Sequence, residues 1–399
     1  MTMDTRRSFL ATSLSAGVLI AGCLALEDGG SSDDQSSGRS NGNEPTDFSE
    51  RFHNPNYEYV VGHQSGEYAR TVVTDPAIDG AVVASIDGSV GRYTTDADPV
   101  WQEKTGDELV RTSIVSTQTG SEPLVHVADD GLRVYGFNAA TGERVWESES
   151  VLRDDTPQEE VRRAVVEPLG DTLVGFFSNI SNQTTVEGFD PETGERRWVT
   201  RPEEHDDRYD HLVWGSSENT PHPDGRLLFD MGNRTGSIDE DGDLEWKPEI
   251  YSRIGTLSTP GTVGGNAIYF ATGVALVKYI PEAEEEVWSF EAMDSITSAI
   301  TIHDDLVVFG AEDNGVYAVE RASGNQVWRF QTDDFVRAEP VAVGDTVYVG
   351  STDQTVYAID SNQGEARATI ELDGAIGSIE RSGQRLYVGT ESGFYGVDY

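Results

Sequence analysis

The chain has 399 residues, 71 of them acidic and 28 basic, for a formal net charge of −43. So acidic a surface excludes nucleic acid and anionic lipid faces as direct partners, because both repel it. A single cysteine excludes any disulfide within the chain, so the fold has to be held by packing.

The first element in chain order is an export signal. Arg6 and Arg7 stand in Thr5-Arg6-Arg7-Ser8-Phe9-Leu10, a twin-arginine pattern, and the apolar stretch Ala11 to Gly22 that follows is too short to span a bilayer. That stretch ends in Leu19-Ile20-Ala21-Gly22-Cys23, which looks like a lipobox. Residues 1–22 are therefore read as a Tat lipoprotein signal peptide and Cys23 as the lipid-modified first residue of the mature protein. Simple cleavage and an uncleaved anchor are the alternatives. Stable anchoring needs about two acyl chains. The expected location is the outer face of the cytoplasmic membrane.

Residues 23–54 are read as a lipid-anchored, disordered acidic linker. The segment Glu27 to Glu50 is Gly, Ser, Asp and Asn with almost nothing to bury. A chain of that length spans roughly 30 Å root-mean-square.

Residues 55–399 carry a repeat. The clearest copies are Val134 to Trp146 (VYGFNAATGERVW), Val186 to Trp198 (VEGFDPETGERRW) and Val316 to Trp328 (VYAVERASGNQVW). A fourth, Val356 to Ala368, keeps the frame and loses the Trp. Trp101, Trp146, Trp198, Trp246, Trp288 and Trp328 form one series at a spacing of about 40 to 50 residues; of the seven Trp only Trp214 lies outside it. Each copy reads as apolar strand, Gly/Asp turn, alternating strand, Thr-Gly turn and Trp-bearing strand, with no helical periodicity. Such small antiparallel sheets bury both faces only by packing on one another, in a stack or a closed ring. Gln384 to Tyr399 supplies two strands without a Trp-type strand, which points to a ring closed by an N-terminal strand near Tyr57 to Gly62 (YEYVVG). The expected fold is all-β: a propeller of eight four-stranded blades, or seven if Asp206 to Trp246 is an insertion.

The frame resembles the PQQ-like, or quinoprotein, β-propeller repeat over roughly residues 55–399. The resemblance implies that each Trp docks on the neighbouring blade. In that family, quinone-dependent dehydrogenases bind PQQ with calcium at the propeller axis, through a Glu, an Asn and an Asp, often beside a pair of adjacent Cys. No such set can be matched here, so no cofactor is expected; PQQ and calcium belong to an alternative enzymatic reading. The architecture also resembles BamB-type assembly lipoproteins, which implies a scaffold role. Lys is confined to Lys104, Lys247 and Lys278, and acid richness with scarce Lys resembles exported haloarchaeal proteins, because molar salt cuts the screening length to about 3 Å.

Other candidate sites are weaker. His205, Asp206, Asp207, Asp210, His211 and His222 crowd one segment but fit no standard metal spacing, and a solvated loop explains them better. Asp239, Asp241, Asp243 and Glu245 resemble a calcium loop with the wrong spacing; an acidic turn is the simpler reading. Asn179, Asn182 and Asn233 stand in glycosylation sequons. No catalytic or metal-binding residue is expected. The expected function is a non-enzymatic, lipid-anchored scaffold for an unidentified cell-surface or membrane protein, with a dehydrogenase or a module for small ligands or glycans as the alternatives.

Overall fold

The computed structural model describes residues 49–54, 72–74, 78–85, 88–94, 98–106, 114–119, 122–129, 131–149, 161–179, 184–202, 220–221, 224–230, 235–246 and 261–399. Its strands form eight four-stranded antiparallel sheets. Blades 1 to 7 cover residues 72–104, 114–147, 161–200, 220–246, 262–291, 301–331 and 341–371 in strict chain order. Blade 8 takes three strands from residues 376–398 and its fourth from Ser49–Asn54. The weak region before Trp246 is a blade of its own, which decides for eight blades over seven.

The strand patterns follow from the ring. Second and third strands lie between neighbouring blades and are covered on both faces. They therefore read as nearly continuous buried runs, as in Thr346–Gly350 (TVYVG) and Gly315–Glu320 (GVYAVE). First strands meet their counterparts around the centre. Val72–Val73 lies against both Ile114–Thr119 and Ile376–Ser382, which joins first and last blades. Hydroxyls stitch the same seams. Thr74 Oγ1 donates to the Arg381 carbonyl at 3.0 Å, and Thr297 Oγ1 to that of Val336 at 3.0 Å.

Fourth strands form the rim, where an unpaired edge invites aggregation. Two devices blunt it. Charged residues dominate, as in Arg144–Glu147 and Glu285–Glu291. A β-bulge also interrupts the pairing of third with fourth strand in every blade but the fourth. The bulge leaves Val145 and Val327 exposed and turns the following Trp inward.

Each inward Trp reaches the next blade. Trp101 Nε1 donates to the Ala139 carbonyl at 2.9 Å, Trp146 to Pro191 at 2.9 Å, Trp198 to Glu240 at 2.7 Å, Trp288 to Arg321 at 3.2 Å and Trp328 to Ser361 at 2.7 Å. These acceptors sit in the Thr-Gly turns, and the turn glycine is where the ring lies. A Cβ on Gly142 would stand 2.5 Å from Trp101, one on Gly194 2.4 Å from Trp146, and one on Gly364 2.6 Å from Trp328. Gly142, Gly194, Gly242, Gly324 and Gly364, at the position four residues before the Trp of the frame, thus each seat the Trp of the preceding blade. The carboxamide or carboxylate opening the turn holds its shape: Asn138 Oδ1 accepts from Ala140 and Thr141 N–H, and Asp360 Oδ1 from Asn362 and Gln363 N–H. Arg367 adds a charge-assisted bond to Asp360. Burial slightly opposes ionisation there, but Arg367 and the turn amides hold the Asp360 carboxyl below the usual range.

Of the seven links that leave blades 1 to 7, two differ. The turn of blade 5 is a 3-10 turn, Pro281–Ala283, with Glu284 at φ 49° in place of a glycine; Trp246 packs tilted at 56° against Phe229 of its own blade, 6.3 Å between centroids. At the other, Ala368 stands where the Trp would be. The next sheet is blade 8, whose third and fourth strands are not joined by a turn, so no turn glycine waits to receive a ring.

The closing strand differs from expectation. Ser49–Asn54 pairs with Gly393–Asp398, with Ser49 opposite Asp398 and Asn54 opposite Phe394. The expected strand at Tyr57 to Gly62 lies outside the described residues. The strand that closes the ring thus falls inside the segment read as linker, and the propeller takes in residues upstream of 55. Its bulge falls between Glu50 and Phe52 and puts Phe52 opposite Gly396, the register that puts Trp146 opposite Gly136.

Candidate interaction face

The element order gives the propeller two unlike ends. One end, the turn face, carries the short turns between first and second strands and the Thr-Gly turns. The other, the loop face, carries the turns between second and third strands and every connection from one blade to the next. By sequence those connections are residues 55–71, 105–113, 148–160, 201–219, 247–261, 292–300, 332–340 and 372–375. Length variation is concentrated there, and loops on a rigid scaffold are where recognition is ordinarily built.

The described part of the loop face is braced by a repeated Asp–Tyr pair. Tyr135 Oη donates to Asp129 Oδ2 at 2.7 Å and accepts from Gly106 N–H at 2.9 Å. Tyr357 Oη donates to Asp353 Oδ2 at 2.7 Å, and Tyr317 Oη to Asp313 Oδ2. Burial first, and then the Asp129 carboxylate, push the Tyr135 phenol up to about 12. Each pair fastens the connection entering from the preceding blade. The carboxylates of Asp129, Asp313 and Asp353 are thus used in building the face. What remains at its surface is mixed. Met293 is 73% exposed, Asp294, Asp333, Asp373 and Glu391 are exposed, and Arg337 lies 5.4 Å over the Phe335 ring with its guanidinium 3.4 Å from Glu312.

Two buried titratable groups were not evident as such in the sequence. Glu187 occupies the Tyr position of the frame in VEGFD and is 2% exposed. Burial raises its pKa, against Arg196 at 3.4 Å. Comparing VEGFD with VYGFN would have flagged it. His126 is fully buried in LVHVA, 2.7 Å from Thr117 Oγ1 and 5.4 Å from the Trp146 ring. Desolvation lowers its pKa from 6.5 to about 3. The neutral ring therefore belongs to the folded state, while an unfolded chain takes up a proton below 6.5. The folded state loses stability as pH falls from 6.5 toward 3, by up to about 1.4 kcal/mol per pH unit. The gap in unfolding free energy between the natural protein and His126→Gln is expected to narrow over pH 6.5 to 4.5. A constant gap would show that His126 is not held neutral.

Cys23, Arg6, Arg7, Asn182, Asn233 and Trp214 lie outside the described residues, as does the cluster of His205, Asp206, Asp207, Asp210, His211 and His222. Asn179 ends the strand Thr172–Asn179. The acidic run at Asp239 is the turn of blade 4: Asp239 Oδ1 accepts from Asp243 N–H at 2.8 Å, Arg226 pairs with Asp239 at 2.7 Å, and Gly242 seats Trp198. Among the described residues no three His, Cys, Asp or Glu are placed to hold a metal.

Eight sheets, a strand borrowed from the other end of the chain and a tryptophan passed from blade to blade define a PQQ-type β-propeller. The family described as outer membrane protein assembly factor BamB matches residues 67–230 and 182–390, and the chain belongs to that family. Among solved structures it is similar to BamB from Moraxella catarrhalis, at 20% identity and a TM-score of 0.62, over 82% of this chain and 96% of that one. It is also similar to the computationally designed Ika8 protein, at 14% identity and a TM-score of 0.55, over 85% and 98% of the two chains. Both likenesses concern the fold. No curated protein matches the chain.

Proposed function

We propose that the protein is a non-enzymatic scaffold, lipid-anchored through Cys23 outside the cytoplasmic membrane, that holds a partner protein on its loop face. The observation that carries this reading is the asymmetry of the propeller. The strand order starts and ends every blade-to-blade connection at one end of the ring, and the described part of that end is braced by the Asp–Tyr pairs. The described carboxylates of the frame are committed to turns and braces. Membership of a family described as an assembly factor supports the same reading. So do the twin-arginine and lipobox patterns, for export and anchoring.

Crosslinking in intact cells, from a photoreactive residue at Met293, is expected to recover one consistent partner. Cys23→Ser is expected to move the protein from the membrane fraction to the medium and to lower that yield. Recovery of the monomer alone would end the scaffold reading. Continued membrane fractionation of Cys23→Ser would show another anchor.

A further inference from the structure

We infer that the seam between blades 5 and 6 carries, at the turn face, a binding site for a carboxylate group, held by Arg321 and Lys278. The site lies at the opposite end of the ring from the loop face and does not depend on the partner proposed there.

Two departures from the repeat meet at this seam. The first is Arg321. Its position in the frame lends only a carbonyl to the Trp of the preceding blade, and Ala139, Pro191 and Ser361 do so elsewhere. Trp288 Nε1 likewise takes only the Arg321 carbonyl, at 3.2 Å. The second is Lys278, which stands opposite Trp288. Gly136, Gly188, Gly236 and Ala318 stand opposite the corresponding Trp in blades 2, 3, 4 and 6. Blade packing therefore calls for neither cationic side chain. Arg92 stands opposite Trp101 in blade 1, but it donates to the Asp79 and Ala140 carbonyls, and the residue at the Arg321 position there is Ala139.

The geometry leaves donors over. The Arg321 guanidinium lies 6.0 Å and the Lys278 ammonium 5.6 Å from the centroid of the Tyr269 ring. Arg321 Nε donates to Tyr269 Oη at 3.3 Å, and Lys278 Nζ to the Arg321 carbonyl at 2.9 Å. These bonds fix both side chains and use neither Nη group of the guanidinium. Gly264 makes room for it: a Cβ there would stand 2.7 Å from Arg321 Nη2. Among the described residues no carboxylate pairs with Arg321 or Lys278, whereas Arg144, Arg197, Arg226, Arg329 and Arg367 each have one. Two like charges gathered at one ring repel, and an anion bound to both relieves that repulsion. The two Nη groups form the fork that matches the paired oxygens of a carboxylate. The surroundings limit the charge of the ligand. Glu282, Glu284, Asp304 and Asp305 are exposed on the same face, which favours a monoanion over phosphate or a polyanion.

Fluorine NMR of the protein labelled with 5-fluorotryptophan tests this, with the Trp288 resonance assigned through Trp288→Phe. Sodium acetate is expected to move that resonance along a saturating curve, and sodium chloride at equal ionic strength is not. Arg321→Ala and Lys278→Ala place at each position a residue that another blade carries there, Ala139 and Ala318, so both variants are expected to fold. Each is expected to weaken the acetate response by about tenfold or more, the loss of one charge-assisted hydrogen bond. No saturable response to acetate, or an undiminished response in both variants, would overturn the site. Saturation by inorganic phosphate and not by acetate would overturn the assignment to a carboxylate.

Discussion

Gly364→Ala is expected to destabilise the protein far more than Gly344→Ala. Both glycines have a left-handed backbone, φ 70° and φ 54°. A Cβ on Gly344 meets nothing within 4 Å, so only the backbone cost of roughly 1 kcal/mol applies. A Cβ on Gly364 would stand 2.6 Å from Cβ and Cγ of Trp328. The ring cannot withdraw, because its Nε1 is bonded to the Ser361 carbonyl and its faces are packed between blades 6 and 7. Overpacking of this kind adds about 1–3 kcal/mol. Trp328→Ala removes the other half of the same contact and is expected to cost about 3–5 kcal/mol. Because the two changes act on one contact, the double variant is expected to cost less than their sum. Denaturant unfolding of the natural protein and the four variants decides it. Equal effects at Gly364 and Gly344 would mean that the turn glycine seats nothing.

The second large effect concerns closure. A chain starting at Ser49 is expected to melt like the full-length protein, whereas one starting at Pro55 is expected to melt far lower. Five residue pairs join Ser49–Asn54 to Gly393–Asp398. At about 1 kcal/mol net per hydrogen bond, their loss is on the order of 5 kcal/mol. Removing the strand also bares the edge over Phe394, Tyr395 and Val397, all buried in the closed ring, and an open edge of that kind promotes aggregation. Blade 8 has few substitutes. It lacks the turn that ties third to fourth strand elsewhere, and Ala368 of blade 7 sends it no tryptophan. Matching melts for the two truncated chains would show that closure contributes nothing.

The repeat was legible because its period is set by chemistry that cannot vary much. A ring as large as Trp needs a glycine opposite it, and the turn needs an acceptor such as Asn138 or Asp360 four residues earlier. The relay between blades was only half legible. Gly142 and Trp146 are neighbours in sequence, yet Gly142 serves Trp101. The closing strand was hidden for a different reason. Ser49–Asn54 (SERFHN) sits at the end of a polar, Gly/Ser-rich stretch and holds one apolar residue, whereas YEYVVG has the composition of a strand. A strand at a sheet edge is chosen through its backbone, and its side chains need carry little hydrophobic signal. His126 escaped notice because LVHVA reads as an apolar alternation, in which a neutral imidazole with a hydroxyl partner is an acceptable core residue. The loop face was legible only as an absence of pattern, and the carboxylates that brace it read simply as residues of the Gly/Asp turns, because their partners Tyr135 and Tyr357 are brought beside them only by the strand pairing.

Native-state hydrogen exchange of the last strand tests the closed ring most directly. If Ser49–Asn54 closes the sheet, the amides of Gly393–Asp398 are paired on both sides. They are then expected to exchange as slowly as those of Thr355–Asp360, the interior strand of blade 7. Fast exchange at alternate positions of Gly393–Asp398, the mark of a free edge, would contradict closure by the N-terminal strand.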